Sequence, residues 1–336
     1  MTGFKVGAAP LANGLQRAAA ALPPFAVAVL SPSAGGVDVD GRGGDIASVR
    51  THVECDDPPG RASAFHIPQV LGWLKRRGDA TVNIEADGMS LLFTAGRSRL
   101  SVITVPEADI PTWDTIEGAA PVRVPGLWAA MVRCSRVAST DTTRPMLTGV
   151  ELTPQGVTGA DLYRLSHVNA PGATQAAIVP AGTIRQVDKW ATGEPVVAVT
   201  DLHIVIDDGT SVWYTRPIGR DYPKWGPLIG DPPRTAAFNR TELVAAVEDC
   251  LPAVMLRLAV NPDGATVTAD VAEAQQVETE LPVETVETIE FGFNPGFLLE
   301  ALTATETAAI RFTDAQKPVL LEDEHGFELL LPMRLD

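Results

Sequence analysis

Apolar residues recur at helical spacing in six segments of the chain, and five of these segments open with a proline. Proline suits the first turn of a helix, where its missing N–H has no partner to lose. The six predicted helices begin near Pro10, Pro68, Pro125, Pro180, Phe238 and Pro295. Equivalent start signals stand 115 residues apart from Pro10 to Pro125, 112 from Pro68 to Pro180 and 115 from Pro180 to Pro295. The pattern therefore predicts one module that occurs three times.

Between these helices the period changes to an alternation of apolar and polar residues, which is typical of half-buried strands. The alternating segments cover residues 80–105, 196–218 and 308–335, and each is interrupted by turn-forming steps such as Asp208-Gly209. Such interruptions predict antiparallel hairpins. Because strands outnumber helices, we predict an α+β fold in which each module places two short helices on antiparallel sheets.

Clusters of proline, glycine and small residues mark two places where modules would join. They lie at residues 116–126 and 228–238. We therefore predict three domains, at residues 1–118, 119–230 and 231–336.

The composition is that of an ordinary globular protein, with 45% apolar and 20% charged residues in a chain of 336. No run approaches the roughly 18 to 20 uninterrupted apolar residues of a membrane helix. The N-terminal segment carries Asn13, Gln16 and Arg17 where a signal peptide would be apolar, so we expect a cytoplasmic protein without a membrane partner. The three cysteines are Cys55, Cys134 and Cys250. Their wide spacing predicts buried free thiols and neither a disulfide framework nor a zinc site.

The formal net charge is −16, and most of the acidic excess lies in the last third of the chain. Residues 1–120 carry −3, residues 121–230 carry +1 and residues 231–336 carry −14. An acidic protein repels a polyanion at long range, so it binds nucleic acid only if its cations gather on one surface.

The predicted helix faces offer such a surface. In the third helix, Leu127, Met131 and Cys134 form an inward apolar stripe, and Arg133 and Arg136 lie off it. The basic residues that we place outward on the first four helices are Arg17, Lys75, Arg76, Arg77, Arg133, Arg136, Arg185 and Lys189. If equivalent helices face the same way, these cations converge on one surface; the alternative is that each only solubilises its own helix.

Five segments resemble the bacterial DNA polymerase III β subunit, the sliding clamp family, and they occur in the order that this family has. The segments are TAGRSRLSVITVPEADIP at 94–111, GADLYRLS at 159–166, RDYPKW at 220–225, IEFGFNPGFLLEAL at 289–302 and LLLPMRL at 329–335. The resemblance covers essentially the whole chain. Its most specific parts are Gly96-Arg97-Ser98-Arg99 and the ending Pro332-Met333-Arg334-Leu335.

The resemblance implies three clamp domains per chain and a head-to-tail ring of two chains, whose inner helices surround double-stranded DNA. Phosphate contacts from a cationic wall hold DNA without reading its sequence, which permits sliding. The implied function is a processivity factor that tethers a polymerase, with no catalytic residue, metal or cofactor of its own. The expected DNA-binding residues are the eight above together with Arg144 and Arg240.

The resemblance also implies a pocket for short motifs of DNA polymerase, clamp loader and repair proteins. Its expected lining is Leu147, Ala160, Tyr163, Arg164, Leu165, Pro223, Leu228, Asn294, Phe297, Leu329, Leu330, Pro332, Met333, Arg334 and Leu335. Strand alternation prevents all of Leu329, Leu330 and Leu331 from facing one pocket. For the ring, we expect Leu100 and Val102 on an edge strand to contact Leu251 of the other chain.

Two alternatives stay open at this stage. A specialised clamp paralogue, from a mobile element or with an inhibitory role, would recruit a different partner. A metal-dependent hydrolase would use Asp201, His203 and Asp207, which share one face if the segment is a strand. Against the second alternative, Asp207-Asp208-Gly209 reads as a hairpin turn, and the sequence contains no nucleotide-binding or hydrolase motif.

Overall fold

The computed structural model describes residues 3–20, 27–42, 47–110, 124–170, 175–200, 202–219, 221–272 and 275–335. Within these ranges the α-helices are α1 (Ala8–Ala20), α2 (Ile67–Lys75), α3 (Leu127–Val137), α4 (Ala181–Asp188), α5 (Gly226–Ile229), α6 (Arg240–Asp249) and α7 (Pro295–Ala304). Single 3-10 turns lie at Glu107–Asp109 and Pro145–Thr148. No helix among the described residues is both long enough and apolar enough to cross a bilayer.

The first fifteen strands are β1 (Phe4–Gly7), β2 (Val27–Ser33), β3 (Gly36–Arg42), β4 (Ala47–Asp56), β5 (Ser63–His66), β6 (Thr81–Asp87), β7 (Ser90–Ala95), β8 (Ser98–Ile103), β9 (Gly149–Leu152), β10 (Val157–Ala160), β11 (Arg164–Val168), β12 (Ala177–Pro180), β13 (Val196–Val199), β14 (Ile204–Asp207) and β15 (Ser211–Thr215). The others are β16 (Arg234–Phe238), β17 (Leu256–Asn261), β18 (Gly264–Ala272), β19 (Gln275–Leu281), β20 (Val283–Glu284), β21 (Ile289–Phe293), β22 (Ala309–Phe312), β23 (Val319–Asp323) and β24 (Gly326–Leu330). The described strand pairs are antiparallel, so the predicted α+β class is confirmed.

The six predicted helices are α1 to α4, α6 and α7, and each begins within two residues of its expected start signal. Helices α6 and α7 each have a side-chain N-cap. Asn239 accepts a hydrogen bond from the backbone N–H of Glu242 at 3.2 Å, and Asn294 accepts one from that of Phe297 at 3.1 Å. An asparagine at this position satisfies one of the backbone donors that the first turn leaves without a partner. The short helix α5 was not predicted.

The described chain divides into two compact units. Unit 1 comprises residues 1–128 and 182–217, and unit 2 comprises residues 129–181 and 218–336. In unit 1 one sheet has the strand order β13-β14-β15-β4-β1-β6-β7-β8, and β2, β3 and β5 pair beside this path. Helix α1 packs on β3, β4 and α2. Strand β8 ends the path, so one of its edges has no neighbouring strand within the described residues.

Unit 2 contains two sheets. The larger has the order β12-β9-β10-β11-β24-β23-β22-β16-β20, and the smaller has the order β19-β18-β17-β21. One buried cluster of unit 2 includes Phe291, Phe293 and Phe312 together with Leu243 and Leu298 of helices α6 and α7. These apolar residues come from both sheets and from both helices, which fixes the helices on the strands.

Strand pairing crosses the predicted module boundaries in both units. Strand β15 pairs with β4 through Trp213↔Val49, and β11 pairs with β24 through Ser166↔Glu328. Each pairing continues a sheet with a strand that is far away in the sequence, so compact units follow the sheets and not the sequence repeats. The division into three domains stays a prediction, and most of its first expected boundary lies outside the described residues.

The inward stripe predicted for α3 is confirmed, since Leu127, Met131 and Cys134 are buried. The helix lies very close to β10, because a Cβ added at Gly159 would be 1.9 Å from the carbonyl oxygen of Cys134. Only glycine permits this approach. Cys134 and Cys250 are buried free thiols as predicted, whereas Cys55 is partly exposed.

Arg17 of α1 is a buried residue of unit 1, with 7% of its surface exposed. Its guanidinium donates to Asp208 Oδ2 at 2.9 Å, to Ser211 Oγ at 3.0 Å and to the Trp190 carbonyl at 3.1 Å. The Asp208 carboxylate also accepts from Trp213 Nε1 at 3.0 Å. Because a buried carboxylate is costly without a partner, this ion pair holds α1 against the β14–β15 hairpin.

Replacing Arg17 with Met should destabilise the protein by about 3 kcal/mol, since it leaves the buried Asp208 carboxylate without its cation. Thermal and urea unfolding would measure the change. Arg257→Met is the matched control because it removes the Arg257–Glu290 pair, whose side chains are 44% and 41% exposed. That control should lower the free energy of unfolding by less than about 1 kcal/mol. Equal losses of stability in the two variants would contradict the argument that the buried pair matters more.

Candidate functional site

Four of the residues expected in the peptide pocket form one apolar cluster in unit 2, which we call the apolar site. They are Leu147, Ala160, Leu165 and Leu329. Strand pairing brings them together, because Leu165 of β11 is paired with both Ala160 of β10 and Leu329 of β24. Met146, Tyr222, Trp225, Ile229 and Phe327 pack against this cluster and are half-buried.

Three aromatic rings support the apolar site from one side. The ring of His167 lies 4.9 Å from that of Trp225 and 5.2 Å from that of Phe327. His167 Nδ1 is 2.9 Å from the hydroxyl of Thr158, and burial lowers the pKa of this histidine below its usual value. The imidazole of His167 is therefore neutral near pH 7 and acts as a packing group. Trp225 Nε1 donates a hydrogen bond to Glu151 at 3.4 Å.

These supporting residues were missed in the sequence. Phe327 lies two positions before Leu329 on β24 and shares its face, so strand alternation contained a usable signal. Trp225 lies within the segment RDYPKW, but only the fold brings it next to His167. Tyr222 packs here as well, and burial raises the pKa of its phenol.

A second group of expected residues forms a wall next to the apolar site. The Tyr163 ring stacks on the Phe297 ring of α7 at 6.5 Å, and the Arg164 guanidinium lies 4.0 Å from the centre of the same ring. Tyr163 is 59% exposed, so its ring is available to a ligand. The Asn294 side-chain oxygen caps α7, so this expected lining residue already has a partner within the protein.

The C-terminal segment is fixed to the smaller sheet of unit 2. The backbone N–H of Met333 donates to the carbonyl of Gly292 at 2.7 Å. A Cβ at Gly292 would lie 2.8 Å from the Met333 oxygen and 3.1 Å from Leu335, so this approach requires glycine. The other expected lining residues in this segment, on α5 and just before α5 are partly or fully exposed, namely Pro223, Leu228, Pro332, Met333, Arg334 and Leu335.

One expected lining residue is corrected. Leu330 is 3% exposed and belongs to the large buried cluster with Phe291 and Leu298, not to the apolar site. The reason is strand alternation, since Leu329 faces the apolar site and its neighbour on β24 must face the opposite side.

The expected DNA-binding residues differ strongly in their surroundings. Lys75, Arg76, Arg136, Arg144, Lys189 and Arg240 are exposed. Arg77 is half-buried, with its guanidinium 4.5 Å from the Trp73 ring and a hydrogen bond to Ser98. Arg240 also donates to the Leu302 carbonyl at 3.1 Å. The exposed basic side chains remain hydrated and extend into solvent, as a contact with a phosphate requires.

Two of the expected DNA-binding residues are corrected. Arg17 is buried in the ion pair with Asp208 described above. Arg133 has a side chain only 16% exposed, and its Nε donates to Glu328 Oε1 at 2.8 Å. Both were placed outward because they lie off an apolar stripe, but each faces a buried carboxylate that comes from a distant strand or turn. Neither is an exposed cation.

Arg185 and Lys189 were expected one turn apart on the same helix. Helix α4 ends at Asp188, so Lys189 lies in the turn that follows, and it is exposed. Arg185 is half-buried, and this burial lowers the pKa of its guanidinium from the usual value.

The expected ring-closing strand β8 lies at the edge of its sheet in unit 1. Leu100 is half-buried and Leu251 is 47% exposed, but Val102 is only 6% exposed. The expectation that Val102 contacts another chain is therefore corrected, because Val102 faces inward opposite Leu91. The outward residues of β8 are Arg99, Ser101 and Ile103, and Ile103 is 74% exposed.

The hydrolase alternative gains no support. Asp201 lies outside the described residues. Asp207 accepts a hydrogen bond from the N–H of Gly209 at 2.8 Å, as the predicted hairpin turn requires. Among the described residues, neither His203 nor Asp207 belongs to a group of three possible metal ligands.

Comparison with known proteins shows which proteins the chain resembles. Residues 233–334 match the family model of the DNA polymerase III beta subunit, C-terminal domain. The chain is similar to the beta sliding clamp of Caulobacter vibrioides, with 26% identity over 83% of this chain and 84% of the relative. It is also similar to the beta sliding clamp of Streptomyces coelicolor, with 28% identity over 76% of this chain and 77% of the relative.

Solved structures of sliding clamps are similar to this chain as well. The DNA polymerase sliding clamp from Caulobacter crescentus covers 100% of both chains with a TM-score of 0.86 and 20% identity. The sliding clamp from Bacillus subtilis covers 99% of both chains with a TM-score of 0.87 and 19% identity. The fold is that of a DNA polymerase sliding clamp. The chain is thus similar in its last third to the DNA polymerase III beta subunit family model, in sequence to beta sliding clamps and in fold to DNA polymerase sliding clamps.

On the opposite face of β11 and β24 from the apolar site lies a buried acid. Glu328 is 3% exposed, and it accepts hydrogen bonds from Arg133 at 2.8 Å and from the Ser166 hydroxyl at 2.6 Å. Burial outweighs these partners and raises the pKa of Glu328 to about 7. The folded protein therefore keeps the Glu328 proton at pH values where the unfolded chain has already lost it.

This pKa shift predicts a stability that falls as pH rises. The contribution of Glu328 is fully present below its unfolded pKa, and it is lost as pH rises through the folded value near 7, with a total on the order of 3 kcal/mol. Glu328→Gln should remove that slope. Unfolding free energies of both proteins between pH 5 and 8 would measure it, and parallel curves would contradict the raised pKa.

Proposed function

We propose that the chain is a DNA sliding clamp, a processivity factor that encircles double-stranded DNA and tethers DNA polymerase and other replication and repair proteins. The observation that carries this proposal is that relatives named beta sliding clamp align with about four-fifths of the chain. The fold supports it, since the solved sliding clamp from Caulobacter crescentus aligns over 100% of both chains. The six helices in three sequence modules agree with the repeat that such a ring requires.

Sequence-independent contact with DNA would come from exposed basic side chains. Lys75, Arg76, Arg136, Arg144 and Lys189 are the members of the expected set that offer a hydrated charge, and Arg240 adds one in the acidic last third. Such contacts neutralise phosphates without reading bases, so they allow the protein to slide. The acidic remainder of the chain would discourage DNA from binding elsewhere.

Ring closure would pair two strands that have a free edge in the described chain. Strand β8 ends the sheet of unit 1 and presents Arg99, while β19 ends the smaller sheet of unit 2 and presents Glu278 and Glu280. Because the two edges carry opposite charges, pairing of β8 with β19 of another chain is favoured over pairing of two β8 strands or of two β19 strands. Ile103 of β8, together with Leu251 after α6, would add apolar contact. Two chains joined head to tail in this way would form the ring.

Partner proteins would bind at the apolar site. The four buried residues of this site offer an apolar floor for Leu and Phe anchors, and the exposed Tyr163, Leu228 and Met333 offer adaptable sides. A short linear segment in an apolar groove is a common mode of peptide recognition.

In this proposal the protein has no catalytic residue and needs no metal or cofactor, because a clamp acts by topology. It would work in the cytoplasm, on the nucleoid, with a clamp loader to open the ring. The specialised paralogue remains the competing proposal within the same class. The identity of the partner bound by the apolar site distinguishes the two.

Light scattering at micromolar concentration should give a mass of two 35.5 kDa chains. Leu251→Asp places a charge in the proposed interface and should give single chains, whereas Leu202→Asp changes a leucine that is 70% exposed in unit 1 and should not. The two-chain protein should stay on circular DNA and leave once the DNA is linearised. A wild-type protein that is a single chain would refute the ring.

Met333→Ala should weaken the binding of a fluorescein-labelled peptide that ends in Leu-Phe by about tenfold, since it removes an adaptable side of the site. Fluorescence anisotropy would measure the affinity. Met89→Ala is the control, because Met89 is a 73% exposed methionine of unit 1. Equal affinities of the two variants would contradict the location of the site.

A further inference from the structure

We propose that Glu300, which is not part of the expected pocket lining, is a positioning residue that fixes the Arg164–Tyr163–Phe297 wall of the peptide site. This inference rests on the proposed peptide binding and names a determinant of that site. It starts from the geometry of one guanidinium. Arg164 is the first residue of β11, and its side chain is only 11% exposed.

The Arg164 guanidinium is bound on three sides. Nε donates to Asp161 Oδ2 at 3.1 Å, a second nitrogen donates to Glu300 Oε2 at 2.5 Å, and a third reaches the Arg136 carbonyl at 3.4 Å. Its flat face lies over the Phe297 ring at 4.0 Å. A planar cation with partners in its plane and a ring below it has little freedom to rotate.

One of these partners, Asp161, is close to Arg164 in the sequence. Asp161 precedes it in the same turn and also accepts from the backbone N–H groups of Tyr163 at 2.7 Å and Arg164 at 2.9 Å. This carboxylate therefore orders the turn whether or not α7 is in place. Glu300 is different because it comes from α7, one turn after Phe297, and it is the carboxylate that ties the guanidinium to that helix.

The contact between Arg164 and α7 decides the shape of the wall. Phe297 contacts the Arg164 guanidinium and also stacks on the Tyr163 ring, so the three side chains form one unit. The next residue, Leu165, lies in the apolar site, and the N–H of Leu331 donates to the Tyr163 carbonyl at 2.8 Å. Releasing Arg164 from Glu300 frees the ring of Tyr163 to move at the edge of the site.

The ion pair itself contributes little to global stability. The Glu300 side chain is 50% exposed, and a pair of this kind is weakened by water and salt. A role in positioning is compatible with this, because a peptide that meets a preordered wall loses less conformational entropy on binding. The inference therefore predicts a loss of affinity without a matching loss of stability.

Glu300→Gln should weaken binding of the fluorescein-labelled Leu-Phe peptide about fivefold at unchanged melting temperature. The matched control is Glu290→Gln, which breaks the half-exposed pair with Arg257 and should leave the affinity unchanged. In a double-mutant cycle, Glu300→Gln should cause no further loss of peptide affinity once Arg164 is replaced by Met, because Glu300 acts through Arg164. Glu300→Asp should recover part of the affinity.

A measurement without peptide tests the positioning directly. The Nε–H signal of Arg164 in a nitrogen–proton NMR spectrum should shift in Glu300→Gln and stay in place in Glu290→Gln. Wild-type affinity in Glu300→Gln, or additive losses in the double-mutant cycle, would overturn the proposal. If the wild-type protein binds no peptide, the proposed peptide site is refuted. In that case an unchanged Arg164 signal in Glu300→Gln would also refute the positioning of Arg164 by Glu300. A shifted signal would support that positioning.

Discussion

The pairing of β11 with β24 is the constraint on which the candidate site depends. It joins residues 164–168 to residues 326–330 in antiparallel register, so each residue of one strand has a fixed partner on the other. Because side chains alternate across a strand, the pairing divides its residues into two sets. Leu165 and Leu329 form the floor of the apolar site, while Ser166 and Glu328 form a buried polar pair on the opposite face. A slip of one residue would exchange the two sets.

The same constraint determines what the neighbouring arginines do. Arg133 extends from α3 toward the polar face and forms an ion pair with Glu328, so its charge is paired inside the fold. Arg164 begins β11 and is held over Phe297 by Asp161 and Glu300. Arg136, on the same helix as Arg133, has no carboxylate partner among the residues that the structure describes, and it is exposed. Position relative to the buried carboxylates, and not basicity alone, thus separates buried structural arginines from exposed ones.

Much of the fold could be predicted from local patterns. The helix starts near Pro68 and Pro295 and the hairpin turn at Asp208-Gly209 depend on residues that are close in sequence, and local backbone chemistry determines them. The site was predicted only in part. Leu147, Ala160, Leu165 and Leu329 do assemble, but Leu330 does not join them. The supporting ring of Trp225 contacts His167 from 58 residues away, and no periodicity contains that information.

The sequence by itself determined the periodic elements, the three-part repetition and the acidic last third, because each is carried by the order of residue types along the chain. Only the tertiary structure decided which strands pair, and with that which cations are neutralised. Arg17 and Arg133 are equivalent to exposed arginines by helical spacing, yet each meets a carboxylate that is 191 or 195 residues away. Burial forces such charges to pair, and the identity of the partner depends on contacts that are distant in sequence.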